Sequence, residues 1–141
     1  MTQGWQKWGL CAVALGLVAA APRPEEGEGV VASDNALASA AGAEVLAMGG
    51  NAVDAAVATA LAAGVVHPAG SGLGGGGFAV FDVEGARGSL DFRETAPAAA
   101  HETLYQDDAG EVIEGISRRG GLAVATPGEP RGLAWLVREH G

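Results

Sequence analysis

The stretch from residue 49 to residue 78, "GGNAVDAAVATALAAGVVHPAGSGLGGGGF", sets a polar cap, a long apolar segment and a run of glycines in that order. Asn51 is placed to cap a helix, with Asp54 at the third helical position, where a carboxylate favours the unpaired amides and the positive end of the helix dipole. From Ala52 to Val66 nearly every residue is Ala, Val or Leu. A helix that is apolar all round is expected to be buried all round. His67-Pro68 stops it short of the length needed to span a bilayer. The glycines that follow, Gly72 to Gly77, are expected to let the backbone pass tightly between this helix and a sheet.

Toward the amino terminus, Ser33 or Asp34 can cap an earlier helix. In it Leu37, Ala41, Val45 and Met48 recur every three or four residues as one apolar stripe, and Gly49-Gly50 can end it in the left-handed conformation. "PRPEEGEG", residues 22–29, has no apolar side chain to bury and reads as a solvated leader. Before it, Lys7 precedes the apolar run "WGLCAVALGLVAAA" and the small residues Ala19 to Ala21, the pattern of a signal peptide cut after Ala20. That run is too short for a spanning helix. Cleavage would remove Cys11, the only cysteine, leaving a mature chain with no thiol to form a disulfide, act as nucleophile or ligate a metal. The expected organisation is a signal peptide over residues 1–20, a disordered leader over 21–31 and a structured part over 32–141, exported to a periplasm or beyond.

Toward the carboxyl terminus, "FAVFDV" (78–83) and "SLDFRE" (89–94) alternate as strands, and "EGARG" between them has the length and glycines of a hairpin loop. Alternation puts Leu90 and Phe92 on one face and Asp91 and Arg93 on the other. Arg93 on its polar face has two readings. It can pair with Asp91 beside it or Asp82 across the hairpin, or its planar guanidinium can take a two-point grip on a ligand carboxylate. Residues 101–118 are acidic and without period, a surface excursion. "GLAVATPG" (121–128) then reads as a short strand and turn, and Pro130 opens a helix sending Leu133, Leu136 and Val137 to the core, with Gly141 at its end. The order helix, helix, hairpin, strand, helix implies an α+β arrangement with helices layered on a largely antiparallel sheet. Two or three strands with open edges make a poor domain alone, so the chain reads as part of a larger fold.

Composition excludes several functions. A net charge of −9, with one Lys and seven scattered Arg, argues against a nucleic-acid surface. Gly70, Gly72 and Gly75 fit G-x-G-x-x-G, but the loop follows a helix and opens a strand, the reverse of a dinucleotide site. A P-loop needs a Lys, and none occurs beyond Lys7. His67, His101 and His140 lie far apart without ligand spacing, so no metal is expected. No G-x-S-x-G elbow is present to mark a serine nucleophile.

Three segments together, "ALASAAGAEVLAMGGNAVDAAVATALAAGVVHPAGSGLGGGGFAVF", "DFRETAPAAA" and "GGLAVATPGEPRGL", resemble the N-terminal part of the γ-glutamyltranspeptidase family, in the same order and with similar spacing. The resemblance covers residues 32–141. It implies part of the αββα sandwich of the N-terminal-nucleophile (Ntn) hydrolases, made as an exported zymogen that cuts itself into two subunits. It further implies cleavage of γ-glutamyl amides such as glutathione, without a cofactor, by a Thr at the start of the small subunit, with transfer of the acyl group to water or an amino acid. Arg93, in "FRETAP", is then the large-subunit residue that grips the substrate's α-carboxylate. The threonines here, at positions 2, 59, 95, 103 and 126, all match the large subunit or the signal segment. The chain thus reads as a large-subunit fragment whose partner, the small subunit with the nucleophile, is missing. Alone it is expected to be inactive. The alternatives are a related acylase or poly-γ-glutamate depolymerase of the same superfamily, and a non-catalytic exported module that binds γ-glutamyl compounds.

Overall fold

A computed structural model describes residues 29–141, and Val31–Gly141 form one compact unit. The expected signal peptide and the leader up to residue 28 lie outside the described residues. Helix α1 spans Ala36–Ala47, α2 Ala52–Val66 and α3 Glu129–His140; strands β1 (Phe78–Val83) and β2 (Ala86–Asp91) lie between α2 and α3. The arrangement is α+β: α1 packs on α2, and α2 on α3 and β1.

The Asn51 cap of α2 is complete. Its side chain accepts from the amides of Val53 and Asp54, and the Asp54 carboxylate accepts from the Asn51 amide. At its other face Asn51 Nδ2 donates to the His140 carbonyl at 2.6 Å, joining the start of α2 to the end of α3. α2 is not buried all round. Val53, Ala55, Val57, Thr59 and Ala63 are buried, whereas Leu61 and Val65 are exposed because no described element covers that side.

In α1 the cap is Asn35, whose side chain accepts from Leu37 N, rather than Ser33 or Asp34. Ser33 instead donates to the Asn35 carbonyl, and Asp34 meets His67. The buried positions are Ala38 and Gly42, and Leu37 and Met48 of the expected stripe are exposed. The reason is close approach: a Cβ on Gly42 would stand 2.9 Å from the Ala55 carbonyl and would meet the Thr59 hydroxyl. Small residues let the helix backbones touch, so the large ones turn outward. Gly49, at φ +95°, does end the helix left-handed.

The hairpin is tighter than its glycines suggested. Glu84 and Gly85, both at positive φ, form a two-residue turn, so β2 starts at Ala86 and ends at Asp91 instead of running from 89 to 94. Gly88 sits within the strand because the Phe81 ring covers it, with Cζ 2.8 Å from where a Cβ would be. Ala79, Phe81, Val83, Leu90 and Phe92 face a core made by Val53 and Val57 of α2 and Leu133 and Leu136 of α3. Val137 remains outside, 40% exposed. The strand expected in 121–128 reduces to a 3-10 turn at Gly121–Ala123 and a single bridge, Thr95 to Thr126, because the chain meets an extended partner at one residue only.

Candidate functional site

The glycine loop carries the chain from α2 to β1 at backbone contact. A Cβ on Gly64 would lie 2.9 Å from Gly72 Cα, and one on Gly76 2.8 Å from Arg93 Cα. Gly77 and Phe92 exchange amide hydrogen bonds, continuing the ladder one step beyond the two strands. On the far side Gly128 lies against the same peptide, 2.7 Å from its Cβ position to the Arg93 carbonyl. The Gly128 and Glu129 amides both donate to Gly75 O at 3.0 Å. Arg93 is therefore rooted between Gly76 and Gly128, and Gly128 is tied to Gly75, the residue before Gly76.

Its guanidinium, in contrast, is held only weakly. Neither structural partner expected for Arg93 pairs with its guanidinium: Asp82 pairs with Arg87 at 2.9 Å, directly opposite in the register, and Asp91 accepts through Oδ1 from the Arg93 amide at 3.0 Å. What remains is Glu94 at 4.0 Å from Nε and the Phe78 ring, 5.8 Å from the guanidinium carbon. The side chain is 65% exposed. An exposed ion pair at the distance limit contributes little.

Two cavities flank this segment. One, of about 490 Å³, is lined by Arg93, Phe92, Thr95, Thr126, Arg131 and Trp135. The other, of about 520 Å³, lies under the glycine loop with Glu94 and Glu129 in its wall. Glu129 is 6% exposed. Burial pushes its carboxyl above the usual range, a hydrogen bond from the Gly72 backbone opposes this, and the charge of Glu94 adds to it. Sequence reasoning singled out Arg93 and missed Arg131, Glu94 and Glu129. The four-residue spacing of Arg131 and Trp135 at the start of a helix was the available signal. Among the described residues no cluster of three potential metal ligands exists, and the three histidines stay apart: His67 pairs with Asp34, and His140 stacks on Phe81.

A family profile described as Gamma-glutamyltranspeptidase matches residues 38–141. The chain is 46% identical over 114 residues to a glutathione hydrolase proenzyme of a Pseudomonas species, a match covering 80% of this chain and 20% of the relative. Among solved structures it is similar to the gamma-glutamyltranspeptidase of Helicobacter pylori, with 43% identity and a TM-score of 0.76 over 85% of this chain and 35% of that one. It is less similar to the transpeptidase enzyme CapD of Bacillus anthracis, at 27% identity and a TM-score of 0.60 over 80% of this chain and 32% of that one. The chain spans about a fifth of the length of the curated relatives it matches.

Proposed function

The chain belongs to the gamma-glutamyltranspeptidase family, and from that premise we propose that its residues form one wall of a site for γ-glutamyl amides such as glutathione. In this reading Arg93 holds the α-carboxylate of the substrate. The observation that carries it is the contrast at Arg93 between a backbone fixed between Gly76 and Gly128 and a guanidinium left without a close acidic partner. A fixed root with an open fork is what two-point recognition of a carboxylate requires. Export, suggested by the amino-terminal segment, would place the activity outside the cytoplasm. No helix among the described residues is long and apolar enough to cross a membrane.

The chemistry proposed is acyl transfer. A Thr at the amino terminus of a small subunit attacks the γ-glutamyl carbonyl, its own amino group taking the hydroxyl proton, and the amine of the substrate leaves with a proton. Water or an amino acid then takes the glutamyl group. This chain's part is to orient the donor: a carboxylate gripped at two points cannot rotate about its long axis, so the γ-carbonyl is presented in one direction. A poly-γ-glutamate depolymerase of the same superfamily would use the same grip. The closer likeness to glutathione hydrolases than to CapD favours the first reading.

The test exchanges residues 38–141 for the matching segment of the Pseudomonas proenzyme. The chimaera is expected to hydrolyse glutathione, and Arg93→Lys within it to raise KM about tenfold or more with kcat changed less, since a hydrogen bond to a charged group contributes about 1.5–3 kcal/mol. An unchanged KM for glutathione removes Arg93 from the site.

A further inference from the structure

The cavity lined by Arg93 is lined by a second arginine, Arg131. Arg131 and Trp135 stand four residues apart on α3, hence on one helix face, and both line the cavity with Arg93 and Phe92. The wall between them is fixed. Gly132 lies so close to the Phe92 ring that a Cβ would stand 2.8 Å from Cδ2. α3 and the segment carrying Arg93 therefore hold their spacing.

Arg131, like Arg118 and Arg119, makes no ion pair among the described residues, whereas Arg87 and Arg138 have carboxylates at 2.9 and 2.7 Å; of the three, Arg131 alone lines the cavity of Arg93. Asp91, the carboxylate in the cavity wall, accepts from the Arg93 amide through Oδ1 and forms no ion pair with either arginine among the described residues. In a chain of net charge −9, two arginines thus line one cavity in which Asp91 is the single acidic residue. Like charges sharing a cavity repel, and a ligand with two separated negative ends relieves the repulsion at both.

We propose that Arg131 is a second carboxylate-binding residue of this cavity, so that the site favours γ-glutamyl peptides ending in a free carboxylate over γ-glutamyl compounds whose far end is neutral. The inference rests on the reading of Arg93 as the α-carboxylate grip. Arg131 meets the carboxylate at the other end of the donor, in a cavity also lined by Trp135, Thr95 and Thr126.

Kinetics of the chimaeric proenzyme carrying residues 38–141 test it, with glutathione and with glutathione whose glycine carboxyl is the neutral amide. Arg93→Lys is expected to raise KM for both donors, and Arg131→Gln to raise KM about threefold for glutathione, the worth of an exposed ion pair, without changing that of the amide. An unchanged KM for glutathione in Arg131→Gln, while Arg93→Lys raises it, overturns this inference and leaves the Arg93 reading standing. So does an Arg131→Gln variant that weakens both donors equally. An Arg93→Lys variant with unchanged KM for both donors overturns the two together.

Discussion

Glu129 is buried at the first position of α3, accepting from the Gly72 amide beneath the glycine loop with Glu94 nearby. Its carboxyl titrates above its ordinary value of 4.5 in the folded chain because burial penalises the charged form. In the pH range between that ordinary value and the raised one, the folded chain binds more protons than the unfolded chain, so stability falls as pH rises. The contribution is fully present below pH 4.5 and is lost as the pH climbs through the folded value. Glutamine keeps an oxygen for the Gly72 amide and has no charge to desolvate. The urea midpoint of the wild type, taken relative to Glu129→Gln, is therefore expected to decline as pH is raised from 4 toward 7. A difference independent of pH would show that the fold does not raise the titration of this carboxyl. The neighbouring arginine illustrates what is legible at this scale. Alternation along the strand placed Arg93 on the polar face, but whether a carboxylate of the chain would neutralise it depended on a register that puts Arg87, not Arg93, opposite Asp82.

Between elements the decisive quantity is the separation of α1 and α2. A helix glycine is ordinarily a weakness, and replacing it by Ala gains about 1 kcal/mol from propensity. At Gly42 the gain cannot be realised: the new methyl would stand 2.9 Å from the Ala55 carbonyl and 3.0 Å from Val31 Cγ1, and would also meet the Thr59 hydroxyl, itself donating to Ala55 O at 2.8 Å. Backbone cannot yield as a side-chain tip can. Overpacking of this kind costs about 1–3 kcal/mol, so Gly42→Ala is expected to lower stability in urea denaturation despite its better helix propensity. A stabilised variant would mean that the helices do not cross at backbone contact. The same separation explains why the apolar stripe drawn through Leu37 and Met48 was misleading. Hydrophobicity ranks those residues first for burial, but the contact is shaped to admit Ala38 and Gly42, and size overrules transfer energy where backbones touch.

At the scale of the whole unit, what the sequence disclosed and what it withheld divide along contact range. The capped α2, the start of β1 and the amphipathic α3 follow from local chemistry: Asn51 and Asp54, the period-2 pattern of "FAVFDV", and Pro130 with Leu133 and Leu136. The Thr95 to Thr126 bridge, the second arginine of the cavity and the burial of Glu129 depend on segments more than thirty residues apart meeting at the glycine loop. No local pattern encodes that meeting. The same limit applies to burial, since α2 and β1 are apolar on faces that nothing described covers. Val80 is 88% exposed on the outer face of β1, Phe78 is 66% exposed beside it, and Val65 of α2 is 79% exposed. A strand apolar on both faces has the composition of one covered on both sides, and a two-stranded sheet leaves two open edges that can recruit other strands. The 141-residue chain in isolation is accordingly expected to bind a hydrophobic dye and to self-associate at micromolar concentration. Val80→Lys, which touches neither the core nor the cavity of Arg93, is expected to reduce both while leaving the unfolding midpoint within about 0.5 kcal/mol of the wild type, as a surface substitution should. Sedimentation velocity together with dye fluorescence measures the two effects. Undiminished association in Val80→Lys would show that the outer face of the hairpin is not the surface responsible, and a wild type that is monomeric and dark to the dye would show that the face is covered within the chain.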